Sequence, residues 1–417
     1  MQLYLRRMLR FMKRQLLLIL LIVSSLHGVM AQVLTREDSL SAGLIRSNNT
    51  TVLSGYGQIK AEYDFRLKTA TANLTRNVLF VGHKFSNRIY FFSELELENA
   101  KVVGGQPSGE ISMEQLFLKF SVNRDMYIQA GLFIPRIGIT NENHLPTTFN
   151  GNDRPFVETF IIPATWREIG VGLYGRVRSI AGFNYSFAIM NGLSSKGFVN
   201  GSGIKEGRQE GSNASAANLA VTASALYYVK SWRLQMSGYY GGSAGLTPRV
   251  ADSLQLQSGV FGTPVALGEA DAQYHKNGVA FKALATVVGI PDAYEINRAY
   301  ANNTPSMMVG YYAELGYNFY QLINPEVHKN LSVFVREEFM DLNYRVPSNG
   351  IKNGINHKTY TVTGVTYQPV TGVIIKVDYV LRKTQPRNED LIVTPFPQQL
   401  PYYTSNGFFN IGLGYSF

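Results

Sequence analysis

A period of two residues returns along this chain from Leu53 to Phe417, and it restricts the fold more than any other feature. Over Leu53 to Arg66, the residues Leu53, Gly55, Gly57, Ile59, Ala61, Tyr63 and Phe65 share one side. Ser54, Tyr56, Gln58, Lys60, Glu62, Asp64 and Arg66 share the other. Successive side chains of a strand point to opposite faces, so such a segment has one apolar and one wet surface. The split recurs in Ile89 to Glu98, where Tyr90, Phe92, Glu94, Glu96 and Glu98 fall on the wet side, in 169–178, 183–190, 232–240 and 279–287, and in Val373 to Arg382. Weaker candidates are 74–85, 111–122, 126–134, 217–229, 265–275, 307–320, 330–342 and 358–369. Segment 74–85 reads in either phase, and 265–275 alternates poorly. With 407–417, the total is about sixteen strands.

Strands of ten to fourteen residues exceed the usual ~5–6 of soluble sheets, and one apolar face on each suits lipid. The connectors also alternate. Short joints fall at 86–87, 123–125, 179–180, 230–231, 276–278, 321–330 and 369–372. Long ones fall at 67–73, 99–110, 135–166, 191–216, 241–264, 289–306, 343–357 and 384–406. Aromatic pairs such as Tyr227-Tyr228, Tyr239-Tyr240, Tyr311-Tyr312, Tyr402-Tyr403 and Phe408-Phe409 stand near strand ends, where a membrane interface places aromatic girdles. The reading is all-β: a transmembrane antiparallel β-barrel of about 16 strands, occupying residues 53–417. A soluble antiparallel sandwich is the competing fold, and it rarely needs a chain of this length. The closing strand 407–417, with its final Phe417, resembles the C-terminal strand of bacterial outer-membrane proteins.

At the other end, Arg6, Arg7, Arg10, Lys13 and Arg14 precede the apolar run Leu16 to Val23 and the compact residues Val29-Met30-Ala31. This predicts a signal peptide over 1–31, cleaved near Ala31, followed by a short periplasmic segment over 32–52. The true start is Met1 or Met12. The run is shorter than the ~20 apolar residues of a spanning helix, so membrane residence falls to strands. Together these features place the chain in the outer membrane of a Gram-negative bacterium.

Removing the leader lowers the formal net charge from +10 to +5, since it holds five basic residues and no acid. That is compatible with a mild preference for anions. The basic residues stand singly among strands and not in a patch, which argues against nucleic-acid binding. No cysteine is present, which excludes disulfides, thiol catalysis and cysteine metal sites.

The connector 135–166 carries Phe149, Phe156, Phe160, Ile161 and Ile162 among prolines, too apolar for a solvated loop. It is the third external loop, and folding it inward would bury these residues. Gln129 to Gly138 and Trp166 to Gly172, which flank it, resemble the porins related to phosphate-selective porins O and P. The resemblance extends in layout over the mature chain. It implies a homotrimer of roughly sixteen-stranded, water-filled channels for passive diffusion of small hydrophilic solutes, with arginines on the third loop acting on anions, phosphate included. Arg136, Arg154 and Arg167 match such places, while Glu142, Asp153, Glu158 and Glu168 interrupt the basic character. The expected constriction is therefore Arg136, Glu142, His144, Asp153, Arg154, Glu158 and Arg167, with modest anion bias.

By parity, the basic residues of the bore wall are Lys60, Arg66, Lys119, Arg176, Arg178, Arg233, Lys282, Arg336, Lys376 and Arg382. The acidic ones are Glu62, Asp64, Glu94, Glu96, Glu98, Glu314, Glu338 and Asp378. Charges in confined water act on permeating ions through the local field, although such wall charges also pair with one another. His27, His83, His144, His275, His328 and His357 stand apart with no metal-binding spacing, so neither metal nor cofactor is expected. His144 with Glu142 could form a titratable gate. Glu94, Glu96 and Glu98 could gather a hard cation at the outer rim or simply be solvated. No Gly-Xaa-Ser-Xaa-Gly elbow supports an enzyme. The alternatives to a porin are an adhesion barrel acting through loops 191–216 and 241–264, and a barrel enzyme.

Overall fold

The computed structural model describes residues 50–99, 109–323, 329–389 and 402–417. The expected signal peptide lies outside these residues, as does all but the end of the segment 32–52. Sixteen strands form: β1 (Thr51–Asp64), β2 (Thr69–Lys84), β3 (Ile89–Glu98), β4 (Glu110–Ser121), β5 (Met126–Phe133), β6 (Glu168–Arg176), β7 (Phe183–Asn191) and β8 (Leu219–Val229), then β9 (Trp232–Gly242), β10 (Pro264–Lys276), β11 (Val279–Gly289), β12 (Met307–Asn318), β13 (Asn330–Arg345), β14 (His357–Val370), β15 (Val373–Thr384) and β16 (Ser405–Ser416). Each pairs antiparallel with its neighbours in sequence, and β1 pairs β16, closing the barrel. Among the described residues, closure leaves no unpaired strand edge for lipid to meet.

The alternation read from the sequence becomes an inside and an outside. On β16, Phe409, Ile411 and Leu413 face outward, with Ile411 48% exposed, while Asn406 and Asn410 are buried in the bore. On β15, Ile375 and Tyr379 face outward and Lys376 and Asp378 inward. Leu53, Ile59, Val171, Met236 and Tyr311 continue the exposed apolar surface around the cylinder. An apolar girdle of this extent is unsuited to water and suited to hydrocarbon.

Several details depart from expectation. The first external connector shrinks to 65–68, because Thr69 to Leu74 continue the ladder opposite Ile59 to Asp64. A bulge leaves Thr75 unpaired, between Arg76 opposite Gln58 and Leu74 opposite Ile59, and inverts the parity of β2. Segment 74–85 reads in either phase because the inward Val78 and Phe80 are as apolar as the outward Leu79. The aromatic pairs do not form girdles as whole pairs, because neighbouring residues on a strand cannot share a face. Tyr240, Tyr311 and Phe409 are exposed outside, whereas Tyr239 and Tyr312 are buried inside.

The bore is more apolar than expected of a wet wall. Tyr90 and Phe92 are buried with Phe80 and Phe117, the ring of Phe92 lying 5.8 Å from Phe80 and 5.3 Å from Phe117. On β10, Val265 and Leu267 point inward, while Ala266 and Ala270 meet lipid. The inner side of the external half is a hydrophobic core, in which wall residues such as Leu284, Met308, Met340 and Val362 pack against loops. The third loop supplies Ile137, Val157, Ile161, Ile162 and Trp166, and helix α1 (Phe156–Phe160) lies within it. The next three external loops add Phe198 and Ile204, then Leu256 with helix α2 (Pro248–Leu254), then Ile296 on helix α3 (Ala293–Tyr300). Full burial of each large apolar side chain is worth about 1.5–3 kcal/mol, which holds these connectors in the mouth.

Candidate functional site

The third external loop, 134–167, turns into the bore and reaches the far wall. Its tip is fastened there by polar contacts. Asn152 donates its backbone N–H to Asp378 at 2.7 Å, and Gln58 donates to the Asn152 carbonyl at 2.6 Å. Asn150 donates to Glu314 at 3.0 Å, and Lys60 pairs with Asp153 at 2.8 Å. Arg336, buried between Glu314 and Glu338, donates to the carbonyls of Asn150 and Asp153, both at 3.2 Å. Lys282 donates to the Thr148 carbonyl at 3.1 Å, and the Lys376 ammonium lies 3.7 Å from the centre of the Phe149 ring. Gly412 makes the approach possible, since a Cβ there would collide with the Asn152 side-chain amide.

The expected wall residues Lys60, Lys282, Arg336 and Lys376 thus face inward as parity requires, and they serve as anchors for the loop. Lys119 is also inward and buried, 3.8 Å over the Tyr127 ring. Arg176 differs. It lies at the periplasmic end of β6, where it is half exposed and pairs with Asp125 at 2.7 Å, because its strand ends there. That contact holds the Asp125 carboxyl below its ordinary value, with Arg178 contributing further.

The loop's own charges divide into separate groups. Arg136 pairs with Glu142 at 3.2 Å, and Arg233 binds the other oxygen of Glu142 while reaching Asp271 at 2.9 Å. Glu158 is fully buried on α1. It accepts the N–H groups of Ile139 and Thr140 at 2.9 and 2.6 Å and the Tyr312 hydroxyl at 2.7 Å. Burial pushes its carboxyl up, and these hydrogen bonds offset only part of that. Glu158 is therefore a brace within the loop, buried although it borders a small cavity. Arg154 donates to the His144 carbonyl at 3.2 Å, and burial, with Arg76 nearby, lowers its guanidinium from its ordinary value. Arg167 reaches Glu210 of the next loop at 3.1 Å.

His144 is not beside Glu142 as a gate. Its ring lies 3.7 Å from Glu94 on β3 and 3.6 Å from Glu114 on β4. The sequence reading missed this meeting, since the three residues come from two strands and a loop. Nor do Glu94, Glu96 and Glu98 act together as one solvated rim, since Glu94 and Glu96 are buried and only Glu98 is partly exposed, where it borders a cavity. Glu94 accepts from Gln115 at 2.9 Å, and Glu96 pairs with Arg76 at 3.5 Å.

Two of the cavities that border the loop hold most of its charged residues. One of about 390 Å³ is lined by five basic residues, Arg76, Arg154, Arg167, Lys205 and Arg208, and five acidic ones, Glu98, Glu110, Asp153, Glu206 and Glu210. The other, of about 90 Å³, has Glu142, Glu314, Arg233 and Lys282 in its lining. Charges of both signs line each chamber, and the fixed loop separates the two.

A closed sixteen-stranded cylinder with a loop folded into its bore is the architecture of outer-membrane porins, and comparison with solved structures bears out the fold. The anion-selective porin from Comamonas acidovorans aligns with a TM-score of 0.52 at 10% identity, covering 88% of this chain and 99% of that one. The outer-membrane channel DcaP of Acinetobacter baumannii gives 0.52 at 13% identity, over 88% and 97%. Salmonella typhi OmpF, in complex with daunomycin, gives 0.52 at 11% identity, again over 88% and 97%. In sequence, a protein of Aquifex aeolicus (strain VF5) described only as uncharacterized is 28% identical over 319 residues, spanning 74% of this chain and 70% of that one. No family model matches the chain, so its likeness to the phosphate-selective porins stays a resemblance.

Proposed function

We propose that the protein is an outer-membrane porin that passes small hydrophilic solutes by passive diffusion, as a homotrimer, with the third loop as its filter. One observation carries this reading: a connector crosses the bore and is clamped to the opposite wall, with charge-lined cavities on both sides of it. Such a device restricts passage by size and local field. Adhesion is the weaker reading because the fourth, fifth and sixth external loops commit Phe198, Ile204, Leu256 and Ile296 to the mouth, although Val199, Val250, Val260, Phe261 and Tyr294 of the same loops are exposed.

A modest anion preference is part of the proposal. Arg76, Arg154 and Arg167 face the outer cavity, but five acids balance the five bases there, so the bias is small. Phosphate passage, which the family resemblance implies, would use the same arginines. Planar-bilayer recording in asymmetric chloride salt tests the reading. Discrete steps with a chloride permeability slightly above that of potassium are expected, and Arg154→Ala should lower the ratio towards one. Absence of conductance from correctly folded barrels would refute a porin. Native mass measurement in detergent checks the trimer.

A further inference from the structure

We propose that Glu94, Glu114 and His144 form a binding site for one divalent transition-metal ion of the zinc class, bridging the barrel wall and the third loop. One ligand atom from each residue can be chosen so that all three lie within 4.8 Å of one another. The side chains are 2%, 0% and 7% exposed. Imidazole Nε2 stands 3.7 Å from a Glu94 oxygen and 3.6 Å from a Glu114 oxygen. These gaps are too long for hydrogen bonds, which run to about 3.2 Å. They are close to the separation of about 3.3–3.6 Å between two ligands held about 2.0–2.2 Å from a tetrahedral zinc.

Two further observations point to a ligand. Neither ring nitrogen of His144, nor Oε1 of Glu114, has a hydrogen-bond partner among the described residues, although all three atoms are buried. Leaving such groups without partners is costly, so an occupant that satisfies them is favoured. Glu114 also occupies a β-bulge. Glu94 faces Gln115 and Leu95 faces Met113, so Glu114 is the extra residue. As a result Glu114 and Gln115, adjacent in sequence, are both buried, which regular alternation would forbid. The irregularity aims one more carboxylate at His144, and bulges are enriched where a strand must redirect a side chain.

The surroundings orient the donors. The Tyr56 hydroxyl donates to Glu114 at 2.7 Å, and its ring meets His144 edge-on at 5.8 Å. Gln115 holds Glu94, and Arg154 holds the His144 carbonyl. Such outer contacts fix ligand orientation in metal sites. Two carboxylates balance the charge of a dication, and a neutral imidazole with two oxygens suits zinc better than calcium, which takes six to eight oxygens. Water would complete the tetrahedron. The ion would pin the loop to β3 and β4, in addition to its anchor at Asp378 on β15.

Equilibrium dialysis of the EDTA-stripped, detergent-folded chain against zinc chloride tests this, and it reads binding whether or not the barrel conducts. One zinc per chain is expected. His144→Ala and Glu114→Gln should each weaken binding by at least about tenfold, and His275→Ala, in an exposed position, should not. Zinc bound equally by wild type and His144→Ala overturns the site, as does no zinc at all, the result if a protonated imidazole merely rests between carboxylates. Should the variants misfold, anomalous diffraction at the zinc edge from soaked wild-type crystals decides. Density among the three side chains supports the site, and its absence there refutes it.

Discussion

Asp378 on β15 accepts both the backbone N–H and the side-chain amide of Asn152, at 2.7 and 2.5 Å, and so secures the tip of the third loop to the wall it crosses to meet. Replacing Asp378 by Ala strands buried donors and should destabilise the loop's seat by about 1–3 kcal/mol. The expected outcome is a larger and noisier unitary conductance, with faster protease cutting near Asn152, measured on refolded barrels. Conductance identical to wild type would mean that the tip does not set the bore.

Gly412 leaves room for the same amide. Gly412→Ala should therefore displace the tip sterically, at a cost of about 1–3 kcal/mol. Because both changes release one contact, the double variant with Asp378→Ala should be much less than additive in urea-unfolding experiments.

Glu158 has its carboxyl raised by burial. A carboxyl with a folded-state value above its unfolded one, about 4.3, contributes stability that is complete below the unfolded value and lost as pH rises through the folded value. Glu158→Gln keeps an oxygen to accept from Ile139 and Thr140 but cannot titrate. The stability of wild type minus that of this variant should rise as pH falls from neutrality towards about 4. Urea midpoints across that range check it, and a flat difference would exclude the effect.

Met236 is 68% exposed at the middle of β9. If that surface lies in hydrocarbon, Met236→Arg should cost about 2–4 kcal/mol of folding stability in lipid vesicles. A cost near zero would place this part of the strand in water.

The strands were legible because a lipid face and a bore face differ in polarity at every second residue. Val373 to Arg382 shows this at full strength, and β15 forms where expected. Legibility failed where the bore itself is apolar. Val265 and Leu267 blur the pattern of β10 because they pack against loops, and Tyr90 and Phe92 lie with the acids of β3 yet fill an aromatic cluster. The inward third loop announced itself through Phe149, Ile161 and Ile162, which needed cover. Its charge partners did not. Arg336 clamps the Asn150 and Asp153 carbonyls from nearly two hundred residues away, and nothing local in either segment encodes that meeting. His144 with Glu94 and Glu114 is hidden for the same reason, with a bulge further scrambling the parity of β4.

The seam between β1 and β16 joins Gly57 to Tyr415 and Tyr63 to Phe409. Every other seam is a hairpin between consecutive strands, whereas this one waits on a circuit of the whole cylinder. Loop-closure entropy and the slow formation of distant contacts make it the natural last act of assembly. Until it zips, two sticky margins invite aggregation, so productive biogenesis depends on shielding both until they find each other.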